Sequence, residues 1–261
     1  MSIFRSATVV AALTLCMAVP ARAGQEVIDG FTARTFRAAN GARLPYRLFI
    51  PDAGARQNPL PLVLYLHGGG GVGTDNLKQI SGGNTNGTHT WSRTEAQRRH
   101  PAFVLAPQLS ENRPSQPGRP DAWSSSLETV LEIVAAVSRE FAIDADRLYV
   151  TGQSLGGYGT WEIITRHPQV FAAAVPLCGG GDAARIVAAR TLAIWAFHGA
   201  KDPVVPVTES RDVVAALRAA GSPVKYTEYP DVAHDAWNRA YAEPELADWI
   251  FSQRRNARPA R

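Results

Sequence analysis

The sequence predicts an α/β fold with a mostly parallel central sheet, helices on both faces and an antiparallel N-terminal edge. Short apolar runs alternate with segments of helical periodicity along most of the chain, which is typical of parallel strands joined by helices. Two strand-like runs near the N-terminus, Phe31 to Phe36 and Leu44 to Ile50, instead flank Asn40-Gly41. That dipeptide suits the positive φ angles of a tight hairpin, so the sheet is expected to begin antiparallel.

The later strands are predicted from apolar runs. Leu60 to Leu66 is apolar throughout, as expected of a central strand that is buried on both faces. Further predicted strands span residues 103–106, 147–151, 172–177, 192–197 and 224–229.

The helices are predicted from apolar residues at helical spacing. In residues 125–141 these include Leu127, Val130, Val134 and Val137, and serines at the start of the segment are able to cap it. Residues 207–220 and 243–254 show the same pattern, and a helix-compatible stretch precedes His167. Residues 80–100 and 108–122 are polar and too long for ordinary connections, so we expect loops that either select substrate or are disordered.

The N-terminus predicts export. Arg5, the apolar run from Ala7 to Ala18 and a small-x-small cleavage site at residues 21–23 together indicate a signal peptide over residues 1–23. The alternative is a lipoprotein signal at Cys16, but the preceding Leu15 is larger than such sites require. We therefore expect a periplasmic or secreted protein, with no later stretch long enough to span a membrane.

Processing would leave residues 24–261, a length typical of one catalytic α/β domain. Cys178 would be its only cysteine, so no intramolecular disulfide is expected, and its apolar surroundings favour a buried structural role. The basic tail, residues 254–261, is expected to be frayed. Oligomeric state is left open.

Charge and histidine spacing narrow the possible partners. Of 27 basic residues, two leave with the signal peptide, and 25 minus 23 acidic residues gives a net charge of +2, too small to indicate nucleic-acid binding. The histidines lack the i, i+4 spacing of a zinc helix, so we expect neither a metal nor another cofactor.

A serine motif directly follows the strand predicted at residues 147–151. Residues 152–156 read Gly-Gln-Ser-Leu-Gly, the pattern of a nucleophile elbow, in which glycines remove collisions at a sharp strand-to-helix turn. Such a turn would expose the Ser154 hydroxyl and direct the Leu155 N–H toward a developing oxyanion.

A nucleophilic serine needs a base, and the base needs an orienting acid. Asp202 follows the strand predicted at residues 192–197, and His234 follows the strand at residues 224–229. This chain order, Ser154, Asp202 and His234, is the order found in α/β hydrolases. The competing acids are Asp182, after a glycine run behind the wrong strand, and Asp231 and Asp235, which lie too close to His234 in sequence.

The remaining requirement is an oxyanion hole. The strand Leu60 to Leu66 is followed by His67 and four glycines, at the position where this arrangement places a second backbone donor. We expect the N–H of Gly69 or Gly70 to act with that of Leu155, the alternative being a flexible glycine turn.

The chain resembles an exported branch of the α/β-hydrolase superfamily, described as predicted peptidases or carboxylesterases and akin to polyhydroxybutyrate-depolymerase-type and feruloyl esterases and to the prolyl-oligopeptidase catalytic domain. The resemblance implies a Ser154, Asp202 and His234 triad. This chain differs from such relatives at residues 71–73, which read Gly-Val-Gly where the relatives often carry a Glu-Arg pair. The motifs that carry it lie in residues 65–70, 73–76, 149–161, 195–206 and 229–237.

These observations favour a serine hydrolase that cleaves carboxylic esters, small or polymer-linked, through an acyl-enzyme. A secreted prolyl-oligopeptidase-type peptidase is the alternative, although the chain has no room for the propeller domain of those enzymes, and a non-catalytic binding protein on the same fold is another. Aromatic faces suit planar or sugar-linked esters, so Trp91, Trp123 and Trp237 are expected either to line the pocket or to pack.

Overall fold

The structure is a computed structural model that describes residues 26–38, 41–52, 58–110 and 123–255. The predicted signal peptide, residues 1–23, therefore lies outside the described residues. So do Asn40 of the predicted hairpin turn, most of the polar segment 108–122 and residues 256–261 of the basic tail.

A single mixed sheet runs through the described residues. Its strand order is β1-β2-β3-β5-β4-β6-β7-β8-β9. The strands are β1 (Val27–Ile28), β2 (Phe31–Arg37), β3 (Arg43–Phe49), β4 (Leu60–Leu66), β5 (Phe103–Pro107), β6 (Ile143–Gln153), β7 (Ala173–Leu177), β8 (Ala193–Gly199) and β9 (Lys225–Tyr229).

Strand direction divides this sheet into two parts. The pairs β1–β2, β2–β3 and β3–β5 are antiparallel, whereas every pair from β5 across β4 to β9 is parallel. The predicted fold class, a mostly parallel sheet with an antiparallel N-terminal edge, is thereby confirmed.

Helices cover both faces of the sheet. Side chains of α3 (Leu127–Glu140), α4 (Leu155–Arg166) and α5 (Thr208–Ala219) join one apolar cluster. Side chains of α1 (Thr85–Ser92), α6 (Trp237–Ala240) and α7 (Leu246–Ser252) join the other. Along β4, Leu62, Leu64 and Leu66 belong to the first cluster and Val63 and Tyr65 to the second, because successive strand side chains point to opposite faces.

The polar segment 80–100 differs from the loop that was predicted. It folds into α1 and α2 (Thr94–Arg99), and α1 buries Gly87, Thr88 and Trp91 against the sheet. With only one large apolar residue in α1, apolar periodicity is too weak to reveal this helix, and tertiary contact decides it.

The beginning of the basic tail also departs from expectation. Arg254 and Arg255, expected to be frayed, pair with Asp144 and Asp146 at 3.4 and 3.2 Å. Across the described ranges, no helix combines the length and apolarity that a bilayer crossing requires.

The sheet topology brings four loops to one edge. Strands β4, β6, β8 and β9 are parallel, so the residues that follow their carboxyl ends emerge on the same side. Those residues are the glycine run after Leu66, Ser154, Asp202 and His234, and a cleft at this edge is where open α/β sheets place ligands.

Candidate active site

Ser154 lies at the junction of β6 and α4 in a strained backbone conformation. Its φ is 55° and its ψ is −117°, a region that side-chain-bearing residues rarely occupy. The turn is tight because α4 starts immediately beside β4. A Cβ at Gly156 would overlap the carbonyl of Leu66, so only glycine permits this approach.

A hydrogen-bonded relay starts at the serine. Ser154 Oγ lies 2.9 Å from His234 Nε2, and His234 Nδ1 lies 2.6 Å from Asp202 Oδ2. Both distances are within hydrogen-bond range, and the ring has one nitrogen toward the hydroxyl and the other toward the carboxylate. This is the geometry that lets a histidine take a serine proton while an acid holds its tautomer.

The Asp202 side chain is fully buried, and backbone donors fix its position. The N–H groups of Val204 and Val205 donate to its Oδ1 at 2.9 Å each, which leaves Oδ2 facing His234. The Lys201 N–H donates to the Val232 carbonyl at 3.0 Å, so the loop with the acid is tied to the loop with the base. A buried carboxylate needs such partners because it has lost its hydration.

The competing acids lie elsewhere. Asp182 Oδ1 accepts the N–H groups of Ala184 and Arg185 in a turn. Asp231 is exposed and pairs with Arg239 at 2.9 Å. Asp235 is likewise exposed, so Asp202 is the acid that the fold brings to His234.

The glycine loop after β4 presents backbone donors on the other side of the serine. Residues Gly69–Gly71 form a 3₁₀ turn in which the Gly71 N–H donates to the Gly68 carbonyl at 2.9 Å. The turn leaves the N–H groups of its first residues, Gly69 and Gly70, unpaired, and both residues are exposed. Leu155 is the first residue of α4, where an N–H is likewise free of helical bonding.

His67 holds this loop from within the protein. Its Nδ1 lies 2.7 Å from the Gly68 carbonyl oxygen, and its Nε2 accepts the Leu109 N–H at 3.0 Å. Each contact is satisfied by a neutral ring with its proton on Nδ1. Burial lowers the pKa of His67 to about 4, so the ring is neutral at pH 7.

A buried polar network connects the loop to the elbow, and the sequence analysis did not identify it. Asn84 Oδ1 accepts the Gly68 N–H at 2.9 Å, and the Tyr65 hydroxyl lies 3.0 Å from both Asn84 Oδ1 and Gln153 Oε1. Gln153 Nε2 donates to the Gly83 carbonyl at 2.8 Å. Asn84 lies in a polar segment without a motif, so no sequence signal marks it.

The three loop tryptophans occupy different environments. Trp91 is buried and packs edge-on against Tyr241 and Phe251, which corrects the expectation that it lines a pocket. Trp123 is also buried; its ring lies 4.9 Å from that of His67, so it packs behind the glycine loop. The sequence was compatible with packing of Trp91 and of Trp123, and the burial of their large apolar side chains favours packing over lining the pocket.

Trp237 is the tryptophan that reaches the site. It is partly exposed, and its ring lies edge-on to that of His234 with centroids 5.2 Å apart. It therefore remains a candidate for contact with substrate.

Cys178 lies behind the relay. Its Sγ, a His234 ring nitrogen and an Asp202 oxygen are within 4.8 Å of one another, a spacing compatible with a metal ion. Burial raises the pKa of the thiol to about 12, which disfavours the thiolate that a metal requires. The other two groups are already hydrogen-bonded to each other, so we interpret the cluster as part of the relay.

Comparison with known proteins finds similarity to hydrolases. Residues 118–196, less than half of the chain, match the model of the Prolyl oligopeptidase family. The chain is 39% identical in sequence to a thermostable esterase of known crystal structure, with a TM-score of 0.81. The match covers 87% of this chain and 64% of the esterase chain. It is 30% identical over 88 residues to poly(3-hydroxyalkanoate) depolymerase C of Paucimonas lemoignei, which covers 31% of this chain and 21% of the depolymerase.

A more distant structure shares the fold alone. The feruloyl esterase module from Clostridium thermocellum is 16% identical, with a TM-score of 0.66, over 85% of this chain and 87% of the module. The strand order, the strained serine and these similarities lead to one assignment. The chain has the α/β-hydrolase fold, and it is similar to esterases and, over residues 118–196, to the Prolyl oligopeptidase family.

Proposed function

We propose that this protein is a serine hydrolase that cleaves carboxylic esters, with Ser154 as nucleophile, His234 as base and Asp202 as the orienting acid. The observation that carries the proposal is the relay itself, 2.9 Å from serine to histidine and 2.6 Å from histidine to aspartate, on a serine with a φ of 55°. A protein without this chemistry has no evident need for a strained serine at the edge of the sheet.

The reaction has two steps. Ser154 Oγ attacks the ester carbonyl carbon as its proton passes to His234 Nε2, and the carbonyl oxygen becomes an oxyanion held by the N–H groups of Leu155 and of Gly69 or Gly70. The C–O bond to the alcohol then breaks, and the leaving oxygen takes the proton from His234. Water hydrolyses the acyl-enzyme by the same proton transfers in the second step.

Asp202 stabilises the imidazolium that forms on His234 in both steps. The buried backbone contacts at Oδ1 keep Oδ2 aimed at His234 Nδ1 throughout. No metal or organic cofactor is required by this chemistry.

The test is hydrolysis of p-nitrophenyl acetate and butyrate by the wild type and by Ser154→Ala. We expect the variant to lose at least about 10⁴-fold in kcat, because the nucleophile is removed without a change in packing. A fluorophosphonate probe should label the wild type and not the variant. Equal rates for the two proteins would remove Ser154 from the mechanism, and an unlabelled wild type would favour a binding protein on this fold.

The second candidate function is a peptidase. It is favoured by the match of residues 118–196 to the Prolyl oligopeptidase family, which covers the serine but neither the acid nor the base. Turnover of aminoacyl-nitroanilides above that of the nitrophenyl esters would establish it.

Trp237 suggests the class of ester. An aromatic face 5.2 Å from His234 suits a planar acyl group or a sugar-linked alcohol, and the partial similarity to a poly(3-hydroxyalkanoate) depolymerase adds polymer-linked esters. A panel of aryl, feruloyl, acetyl-xylan and hydroxybutyrate esters distinguishes these. Export to the periplasm or medium, through the predicted signal peptide, is part of the proposal and is tested by cell fractionation.

A further inference from the structure

A second buried histidine lies behind the proposed catalytic acid. His198 is on β8, four residues before Asp202, and its side chain is fully buried. Its Nε2 lies 3.0 Å from the Val205 carbonyl oxygen and 3.3 Å from Asp202 Oδ2. Its Nδ1 lies 2.7 Å from the Ser210 hydroxyl of α5.

These contacts form part of a hydrogen-bond chain that has a carbonyl oxygen at each end. The Ser210 Oγ also lies 2.7 Å from the Gly179 carbonyl oxygen. The chain therefore runs from the Val205 carbonyl through the His198 ring and the Ser210 hydroxyl to the Gly179 carbonyl. Neither carbonyl can donate, so each of the three contacts in the chain needs a proton from His198 or Ser210.

A neutral ring cannot supply those protons. A neutral histidine carries one ring proton and a serine carries one hydroxyl proton, which makes two for three contacts. Whichever way the two are placed, one pair of lone pairs would face each other at 3.0 Å or less inside the protein. A ring protonated on both Nε2 and Nδ1 satisfies all three contacts.

Electrostatics around the ring act in both directions. The net effect lowers the pKa of His198, because burial, the largest influence, and the charge of His234 outweigh the Val205 carbonyl and the Asp202 carboxylate. The Ser210 contact adds a requirement for a proton at Nδ1, and on that ground we assign the protonated ring. The titratable groups around it are Asp202 on its own loop, Cys178 after β7, Glu209 beside Ser210 on α5, Glu228 on β9 and His234 after β9.

Asp202 and Glu228 both interact electrostatically with His198, and of these two only Asp202 lacks an arginine partner among the described residues. Glu228 is hydrogen-bonded to the Arg211 guanidinium at 2.6 and 2.9 Å. The charge of Asp202, by contrast, is met by two backbone N–H groups, His234 and His198.

We propose that His198 is a positioning residue that holds two ring protons in the folded protein and gives the buried Asp202 carboxylate a permanent counter-charge. The inference rests on the proposed function, because its effect on activity passes through Asp202 and His234. A fixed positive charge beside Asp202 disfavours a second positive charge on His234. The positive His198 ring therefore opposes protonation of the base, which must be neutral to accept the serine proton.

Nitrogen-15 spectra of the wild-type protein, labelled at the histidine rings, test the protonation directly and require no turnover. At pH 7 the His198 ring should show two protonated nitrogens, with its signals identified by their loss in His198→Gln. A His198 ring with one unprotonated nitrogen overturns the proposal. If His198→Gln does not fold, the signals that move in Ser210→Ala identify the ring instead.

The pH dependence of kcat/KM tests the consequence. Glutamine can still donate to the Val205 carbonyl but carries no charge. In His198→Gln the acid limb, which is the fall of kcat/KM at low pH, should therefore move to higher pH by on the order of one unit. A purely structural role would lower kcat and leave the limb in place, which overturns the proposal. Absence of ester hydrolysis in the wild type would refute the proposed function, and the nitrogen-15 result would stand independently.

Ser210 provides a matched pair of variants. Ser210→Ala removes the contact that requires the third proton, so the acid limb should move in the same direction as in His198→Gln. Ser210→Thr keeps a hydroxyl and should keep the limb at the wild-type position. A Ser210→Ala protein with an unmoved limb contradicts the assignment of that proton.

Discussion

His67 and His198 are two buried histidines that flank the serine from opposite sides, and the hydrogen-bond partners around them require different protonation states. The His67 ring meets one acceptor and one donor, the Gly68 carbonyl and the Leu109 N–H, and a neutral ring satisfies both. The His198 ring lies in a chain of three contacts with acceptors at both ends, and Ser210 supplies only one of the three protons that these contacts require.

The difference in protonation between His67 and His198 matches the groups that each histidine supports. In the proposed mechanism, the His67 side presents backbone N–H groups to a developing negative charge, and a neutral ring there only has to hold the loop. The His198 side carries a buried carboxylate, for which a nearby positive charge offsets part of the lost hydration. The same residue type therefore serves as a neutral support on one side and as a charged one on the other.

The largest expected effect comes from removing the charge that both His234 and His198 contact. Asp202→Asn can retain the backbone hydrogen bonds at Oδ1, but it places an NH₂ group toward His234 and so favours the wrong tautomer. We expect kcat on p-nitrophenyl acetate to fall by about 10⁴-fold. The matched control is Asp231→Asn, at an exposed acid paired with Arg239, which should stay within about twofold of wild type.

The variant should keep the circular-dichroism spectrum of the wild type. If its activity then exceeds a tenth of wild type, the Asp202 carboxylate is not the group that orients His234.

The second effect concerns the neutral histidine. The pKa of His67 is about 4 in the folded protein, against an ordinary value of 6.5. Between these values the unfolded chain binds the additional proton. The free energy of unfolding is therefore unaffected by His67 protonation above about pH 6.5. It decreases as the pH falls toward 4, by on the order of 3 kcal/mol in total.

Urea unfolding between pH 4 and 7 measures this, and His67→Gln should flatten the dependence on pH. His198→Gln is the matched control. Below about pH 5.5 a ring that is protonated in the folded state is protonated in the unfolded chain as well, so between about pH 4 and 5.5 this variant should keep the wild-type slope. A wild-type slope in His67→Gln would contradict the assignment.

The third effect tests the contact between His67 and its loop. A Cβ at Gly71 would overlap the His67 ring, so Gly71→Ala should lower the free energy of unfolding by about 1–3 kcal/mol and reduce kcat as the loop shifts. At Gly69 an added Cβ would meet nothing within 4 Å. Gly69→Ala should therefore keep its unfolding free energy within about 0.5 kcal/mol of wild type; equal losses in the two variants would argue against the steric explanation.

The smallest effect concerns the buried polar network between the glycine loop and the elbow. Tyr65→Phe removes the hydroxyl between Asn84 and Gln153, at about 1 kcal/mol in unfolding free energy, and should lower kcat a few-fold with little change in KM. Tyr149→Phe is the control, because that hydroxyl donates near the other end of the sheet, to Gln253. Its stability loss should be similar and its kcat unchanged; a kcat loss shared by both variants would deny Tyr65 a specific role.

Local pattern was sufficient for much of the fold. The strand Leu60–Leu66 was predicted to the residue, because an uninterrupted apolar run of that length between loop residues is typical of a central strand. The helix Leu127–Glu140 lies within the predicted segment, since its apolar spacing is regular. Residues 85–99 were missed because their helices take stability from the sheet beneath them.

Side-chain environment required tertiary structure. Trp91, Trp123 and Trp237 were indistinguishable in sequence, yet two are buried and one lies against His234. The partners that separate them, such as Tyr241 for Trp91, are far away along the chain.

By itself the sequence determined the fold class and the elbow at Ser154, because strand periodicity and the steric need for glycine act over a few residues. Its order of motifs also indicated Asp202 and His234 as partners. Only the tertiary structure decided the surroundings of His67 and His198, each of which follows an apolar run in the sequence and precedes a glycine. Their protonation depends on which carbonyls and N–H groups the fold brings to each ring nitrogen, and those partners come from separate segments of the chain.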